Sequence, residues 1–371
     1  MTKHWQAFHV HYSQLDQLIL DFVTPFFELH GGALERCFWE RHYAGGRNLR
    51  IRLGGEPESL RRIGDALVIE AQAYLDAHPS PDQEGYSEET AAQLLQREGL
   101  DPAKEDLTYR NNQVVEGRYP IHQEVFASPQ AAQIVDDFRH DVMPLVTSIL
   151  RDSGSRWRTV LQLYFVHSIA AAGEIKAGSV SWKSHWEGFA AGHPSVQVVE
   201  RIRQDYKERR EEILGILQET LDLEAKDELG DHPLVGQWWH LMRSYRQRVH
   251  REVASGVKFT GEHQDDDAAR EAGEAAIQGM RRDSEFVRTM WSSERFLTAM
   301  KHESSFQVPR VLVNLFYSVL PMLGIRPIDK MVLCHHVHRA VEEHYGCDLL
   351  DTFRETVRWM EEREDARRAD G

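Results

Sequence analysis

Cysteine is scarce in this sequence, since only Cys37, Cys334 and Cys347 occur among 371 residues. They form no C-x-x-C pair, and three scattered thiols provide no disulfide framework. Such cysteine usage is typical of proteins of the reducing cytoplasm, which is the location we expect.

Long apolar runs are also lacking. No stretch approaches the roughly 20 residues that cross a bilayer, and the first five residues lead into a strand pattern without a signal peptide. Basic residues are in the minority, with 44 Lys and Arg against 59 Asp and Glu and a net charge of −15. This balance argues against broad binding of nucleic acid, although residues 36–62 contain a local cluster of arginines. We expect neither a membrane nor a nucleic acid as partner.

Several catalytic motifs are missing as well. The sequence contains no P-loop, no G-x-G-x-x-G after a strand, no G-x-S-x-G and no H-E-x-x-H. Chemistry that depends on a bound cofactor therefore has little support, and we expect none. The run Cys334-His335-His336-Val337-His338 could place two metal ligands on one helix face, but no further ligands can be assigned. We interpret it as a histidine-rich helix face and expect no metal.

The most informative stretch that is present predicts a β-hairpin around Gly45 and Gly46. Its second strand alternates strictly between apolar and polar side chains: Leu49, Ile51 and Leu53 against Asn48, Arg50 and Arg52. Two guanidiniums on one strand face repel each other unless an anion or a carboxylate lies between them. That face is either solvated or binds an anionic or carbonyl-rich ligand, and the pattern allows both.

The order of predicted elements gives an α+β fold. Strand character at residues 5–12, helices at 14–29 and 60–75, and the hairpin between them form a β-α-β-β-α module. Another strand is predicted within residues 108–120, and the chain is predominantly helical beyond it. We expect a single domain over residues 1–371, with the sheet module at 1–125, a mainly helical part at 126–366 and a frayed tail at 367–371.

Two later segments suit a site. Residues 178–193 mix aromatic and polar side chains, among them Trp182 and His185, as the wall of a site would. A helix is predicted at 309–322 with Pro309 in its first turn, and Arg310, Asn314 and Tyr317 would share one of its faces. These three either form a satisfied internal hydrogen-bond network or face a cavity.

Four stretches together resemble the thiopeptide-type bacteriocin biosynthesis family: Phe38-Trp39-Glu40-Arg41, Asn48-Leu49-Arg50-Ile51-Arg52, Glu116-Gly117-Arg118-Tyr119 and the late helix with Asn314. That family includes the glutamate-elimination domain of class I lanthipeptide dehydratases and its stand-alone relatives. The resemblance covers most of the chain and is most specific in the first 55 residues. It implies an elimination-domain fold, with Arg50, Arg52 and Arg118 matching the substrate-binding arginines of eliminating members.

The same resemblance separates two reaction types. The family pattern His-Met-x-x-Asn-Arg falls on residues 310–315, where Arg310 replaces the histidine and Leu315 the arginine. Loss of that histidine removes the expected general acid–base for glutamate elimination. Stand-alone members without it look like pyridine synthases of thiopeptide assembly. The resemblance therefore implies a cofactor-independent formal [4+2] aza-cycloaddition between two dehydroalanines of a dehydrated, azole-containing precursor peptide, with loss of water and of the leader peptide.

Three alternatives stay open: an elimination component of a split dehydratase, a tRNA-dependent peptide amino-acid ligase, and a non-catalytic partner that binds leader peptides. For the cyclisation we expect Tyr317 to shuttle protons, with a nearby cation such as Arg310 favouring its phenolate. Ser284 and His185 are candidate helpers, although Ser284 is also well placed as a helix N-cap. We expect Arg41 and Arg47 of the hairpin to recognise the leader, and Asn314 and Trp182 to contact substrate.

Overall fold

The computed structural model describes residues 4–42, 47–81, 89, 92, 111–117, 128–152, 154–259, 278–280 and 282–369. The chain divides into two compact units, Met1–Ser153 with Ser318–Gly324 and Gly154–Tyr317 with Ile325–Gly371. The predicted α+β class is confirmed, because the first unit contains an antiparallel sheet and the second consists of helices.

The sheet has the strands β1 (His4–His11), β2 (Arg36–His42), β3 (Asn48–Gly55) and β4 (Gln113–Gly117). Their order is β2-β3-β1-β4, and every neighbouring pair is antiparallel. The pairing of β2 with β3 confirms the strands of the predicted hairpin, whereas residues 43–46 of its turn lie outside the described residues.

Helices of the first unit surround this sheet. They are α1 (Leu15–Leu18), α2 (Thr24–His30), α3 (Pro57–Ala77), α4 (Pro129–Asp141) and α5 (Met143–Arg151). A π-helical stretch at Ile19–Val23 joins α1 to α2 just before Pro25, which has no N–H to continue an α-helical ladder. The apolar residues of 131–150 recur at helical spacing, but this stretch likewise divides at Val142, because Pro144 begins a new first turn.

One face of the sheet forms the core of the first unit together with α3. Leu49, Ile51 and Leu53 are fully buried there, as their alternation predicted. Gly64 of α3 allows the close approach, since a Cβ at this position would lie 2.4 Å from Gln6 Oε1 and 2.9 Å from Phe8. A side chain at position 64 would push the helix off the sheet.

The second unit consists of helices. They are α6 (Arg156–Ala172), α7 (Ile175–Gly192), α8 (Val196–Ala225), α9 (Val235–Ala254), α10 (Glu285–Ser292), α11 (Glu294–His302), α12 (Ser304–Met322), α13 (Pro327–Tyr345) and α14 (Leu349–Ala369). The last residues of α12 belong to the first unit. None of the helices within the described ranges is long and apolar enough to cross a membrane.

The predicted place of Pro309 in the first helical turn is wrong, because α12 begins five residues earlier. Phe306 and Gln307 donate their backbone N–H groups to the Glu303 carbonyl, at 3.0 and 2.9 Å, and start the helix there. Pro309 is tolerated in the second turn because Ser305, whose carbonyl it leaves without a donor, is exposed to water.

Candidate active site

The second face of the sheet in the first unit is polar. We call it the polar sheet face and define it by His9 and His11 of β1 and Asn48, Arg50 and Arg52 of β3. His9 lies opposite Arg50 and His11 opposite Asn48. Arg50 is 8% exposed and Arg52 is 2% exposed, so the alternative of a solvated strand face is wrong.

Electrostatics on this face favour a ligand with negative charge or carbonyl oxygens. Burial, and after it the positive charges of Arg50 and Arg52, lower the pKa of His9 from 6.5 to about 2, so the imidazole is neutral. Glu40 lies opposite Arg50 on β2, and its carboxylate pairs with Arg139 of α4 at 2.9 Å. Buried guanidiniums are stabilised by planar acceptors such as carboxylates and amide carbonyls.

The other predicted arginines of this unit differ in their surroundings. The Arg41 side chain is 8% exposed, pairs with Asp16 and donates through Nε to the Met322 carbonyl at 2.9 Å. This placement suits a structural role better than docking of a leader peptide. Arg47 is exposed, as a docking residue must be, and Arg118 lies outside the described residues.

In the second unit, the structure brings Tyr317 and His185 together. Their rings meet edge to face at 5.0 Å between centroids. Trp182 packs behind both, at 5.9 Å from Tyr317 and 6.5 Å from His185, and donates its indole N–H to Ser168 Oγ at 2.7 Å. Because Trp182 is fully buried, it supports the two site residues and does not present a surface to substrate.

The environment of His185 makes it a proton acceptor. Its Nδ1 lies 2.7 Å from the Ser181 carbonyl, which can only accept, so Nδ1 carries the proton and Nε2 keeps its lone pair. Burial lowers the pKa of His185, the hydrogen bond to Ser181 opposes this, and the Lys330 ammonium lowers it further. His185 is therefore neutral at pH 7.

The environment of Tyr317 keeps its hydroxyl protonated, and the expectation that a nearby cation favours its phenolate is wrong. Burial raises its pKa well above 10, and the Cys334 thiol 3.4 Å from the hydroxyl adds to the shift. A cation does lie near, because Lys330 Nζ sits 4.4 Å from the ring centroid. It contacts the ring face, which does not offset the loss of solvent around the phenol oxygen, and Tyr317 keeps its proton.

The remaining predicted site residues lie apart from this pair. Arg310 and Asn314 are exposed on α12 and do not form an internal network with Tyr317, so that alternative is wrong. Ser284 is the N-cap of α10, where it accepts from the Val287 N–H at 3.2 Å and donates to Glu187 Oε2 at 2.9 Å. The N-cap interpretation of Ser284 is thus confirmed.

The histidine-rich run on α13 disperses its side chains among different partners. His335 Nδ1 lies 3.3 Å from His338 Nε2, while His336 Nε2 lies 3.2 Å from Asp205 Oδ2. Within the described residues, no three or more His, Cys, Asp or Glu side chains are grouped as a metal site requires.

Sequence reasoning missed Lys330 and the ion pairs of Lys183, and it considered Cys334 only as part of a possible metal-binding run. Cys334 and Lys330 stand four positions apart on α13, so their common helix face was a signal that could have linked them. Lys183 is buried at the centre of α7 and pairs with Glu342 of α13 and, at 2.6 Å, with Asp348. Glu342 also pairs with Arg339 at 2.7 Å and accepts the Leu349 N–H at 3.2 Å.

Buried histidines make stability depend on pH. His167 is fully buried against Phe316, at 4.9 Å between ring centroids, and burial lowers its pKa from 6.5 to about 3. The unfolded chain therefore binds this proton first, so the contribution to stability is complete above pH 6.5 and is lost as the pH falls towards 3.

Replacing His167 with Phe keeps the ring and removes the proton site. We expect the free energy of unfolding to fall less steeply with acid, by up to about 1.4 kcal/mol per pH unit between roughly pH 6 and 4. Urea unfolding at several pH values measures both slopes, with circular dichroism at pH 7 as the folding control. A variant with the parental slope would show that His167 takes up no extra proton on unfolding.

The sequence matches a family of dehydratase domains. The chain belongs to the family described as "Lantibiotic biosynthesis dehydratase C-term", whose profile matches residues 5–341. No curated protein matches it in sequence.

Two solved structures show the same fold. One is described as "Pyridine synthase, TbtD, from thiomuracin biosynthesis", with 23% identity, a TM-score of 0.69 and coverage of 92% of this chain and 99% of that one. The other is described as "Crystal structure of TsrL", with 18% identity, a TM-score of 0.68 and coverage of 95% and 98%.

Proposed function

We propose that this protein is a pyridine synthase that acts on a ribosomal precursor peptide carrying two dehydroalanines. Family membership and the fold shared with TbtD support this class of activity. The observation that carries the proposal is the contact of Tyr317, which keeps its proton, with His185, whose Nε2 can take one. Arg310 at the position of the family histidine argues against glutamate elimination as the reaction.

The paired side chains fit the first step of such a reaction. Tyr317 donates its proton to the carbonyl oxygen of a backbone amide, while His185 Nε2 accepts the amide proton. The products are an imidic acid, a tyrosinate and an imidazolium, so the proton count balances. Burial disfavours both charges, so the tyrosinate and imidazolium are short-lived, and the neutral pair is restored when the imidazolium proton is returned to the tyrosinate.

Cyclisation and aromatisation follow from the chemistry of the peptide. The imidic acid and the adjoining dehydroalanine form a four-atom diene, which adds to the second dehydroalanine with formation of two carbon–carbon bonds. Water then leaves from the former amide carbon and the leader leaves as an amide, which gives a pyridine without any redox step. Holding the two ends of one peptide together supplies much of the acceleration.

The polar sheet face is proposed to bind the same class of ligand. Arg50 and Arg52 present buried fork-shaped donors, which suit carbonyl groups or carboxylates of an extended peptide. Neither guanidinium is assigned a proton-transfer role.

The test is incubation of the purified protein with a dehydrated, azole-containing precursor, followed by intact mass measurement. Release of the leader together with a cyclic product supports the proposal. A mass change that needs glutamyl-tRNA and a dehydratase indicates the elimination component, and a mass gain that needs aminoacyl-tRNA indicates a peptide ligase. Binding without any mass change indicates a leader-binding partner and contradicts the proposal.

A further inference from the structure

A groove of about 630 Å³ lies between α8 and α13 of the second unit. It is lined by Trp157 of α6, by the α8 residues Val198, Arg201, Ile202, Asp205 and Arg209, and by residues in and just before α13, namely Ile325, Arg326, Ile328, Asp329, Val332 and Leu333. The α8 residues recur at helical spacing from 198 to 209, which corresponds to a length of about 16 Å. Three turns of a bound helix would fit along it.

The floor of the groove is apolar. Ile202 and Leu333 are buried, while Trp157, Ile328 and Val332 are half-buried, so part of each of these three side chains stays available to a ligand. Val196, next to the N-terminal end of this stripe, is 68% exposed and extends the apolar surface. Apolar side chains of a peptide would be desolvated here.

The rim is cationic. Arg201 is exposed and makes no hydrogen bond or ion pair within the part of the chain that the structure describes. Arg209 lies over the Trp157 ring, with its guanidinium carbon 3.2 Å from the centroid, and pairs with Glu212 at 3.0 Å, so Arg201 is the main source of positive charge on the rim.

The carboxylates of Asp205 and Asp329 also line the groove and offset part of the positive charge of its arginines. Asp329 pairs with Arg326 at 2.7 Å. Burial raises the pKa of Asp205, which lies 3.2 Å from the buried His336 ring. The charges of Arg209 and Arg201 lower the Asp205 pKa in turn. Because Arg201 makes no direct ion pair with Asp205, its guanidinium donors stay available to an incoming carboxylate.

We propose that this groove binds an acidic, amphipathic segment of the substrate peptide, remote from its dehydrated residues. Aliphatic side chains at i, i+3 and i+7 lie on the apolar floor, and a carboxylate pairs with Arg201. This mode is that of a helix in a groove, in which apolar anchors give affinity and rim charges give selectivity. The inference rests on the proposed function, since it identifies the occupant as part of the precursor.

The probe is a fluorescein-labelled twelve-residue peptide with leucines at i, i+3, i+4 and i+7 and glutamates between them, titrated with the full chain. Fluorescence anisotropy is expected to show binding of this peptide and at least about tenfold weaker binding of a version with lysines in place of glutamates. Arg201→Glu should weaken binding of the acidic peptide by about tenfold or more. The loss should shrink as salt is raised.

Arg203→Glu is the matched control, because Arg203 is exposed on the same helix, pairs with Glu200 and does not line the groove. It should leave the dissociation constant unchanged. Equal losses of affinity in both variants would mean that the effect comes from net charge alone, and would overturn the proposal. Binding by Arg201→Glu as tight as that of the parent would overturn it as well. A loss confined to Arg47→Ala would place the docking surface at the hairpin instead.

Turnover separates this inference from the proposed function. If the parent protein converts the precursor but Arg201→Glu shows an unchanged KM, the groove assignment fails while the activity stands. If the parent gives no cyclic product, the proposed function fails whatever the peptide titration shows.

Discussion

Replacing Lys183 with Met is expected to lower the free energy of unfolding by about 3 kcal/mol or more. The Lys183 side chain is 9% exposed and that of its partner Glu342 is 4% exposed, so neither charge is well hydrated. Burial by itself would raise the pKa of Glu342, but hydrogen bonds and charges from His338 and Lys183 outweigh it and lower that pKa. Without Lys183, one favourable charge is lost while the cost of burying the carboxylate stays.

Guanidinium unfolding followed by circular dichroism measures the loss. Lys207→Met is a suitable control, because Lys207 is exposed on α8 and its replacement should change stability by less than about 0.5 kcal/mol. The double variant Lys183→Met with Glu342→Leu should recover part of the loss, since it also removes the carboxylate whose burial Lys183 offsets. If the single variant matched the Lys207 control, the pair would contribute nothing net to stability.

The largest effect on activity is expected from Tyr317→Phe. The change removes one hydroxyl and little volume, so the ring contacts with His185 and Trp182 persist. Product formation should slow by about a hundredfold or more, the usual contribution of a positioned proton donor. The measurement is conversion of a synthetic bis-dehydroalanine peptide, with thermal melting to confirm folding.

Tyr164→Phe provides the comparison. The Tyr164 hydroxyl, like that of Tyr317, has its pKa raised by burial and by Cys334, but its side chain is fully buried and cannot touch a substrate. Its replacement should leave the turnover number near the parental value. Were both variants equally slow, Tyr317 would act through packing around Cys334, and a parental rate in folded Tyr317→Phe would end its assignment as a donor.

The prediction of the fold was based mainly on the spacing of apolar residues in the sequence. Alternation at residues 48–53 identified both faces of β3, and the helix predicted at residues 60–75 lies within α3. The boundaries that were wrong depend on local hydrogen bonding. The start of α12 depends on the backbone hydrogen bonds that the Glu303 carbonyl accepts. The π-helical stretch before Pro25 arises because proline has no N–H to continue the hydrogen-bond ladder of an α-helix.

The candidate site was predictable only in part. Tyr317 and His185 could be named because polar side chains in apolar helices are uncommon, but their contact joins α12 to α7 across more than a hundred residues of sequence. The pKa of Tyr317 was expected to be lowered but is raised. A neighbouring charge can be inferred from helical spacing, whereas the burial of the Tyr317 hydroxyl cannot. The pairing of Arg41 with Asp16 was not predicted for the same reason, since the two residues come from different elements of the sequence.

The three cysteines differ in ways that make the native chain convenient for labelling. Burial raises the pKa of Cys37 to about 12 and that of Cys334 to about 11, and both thiols are enclosed. Cys347 is partly open to solvent just after Gly346, whose φ of 60° ends α13. A maleimide dye should therefore attach at one position without any engineered cysteine. Because Cys347 adjoins Asp348, a partner of Lys183, such a dye would report when α7, α13 and α14 separate.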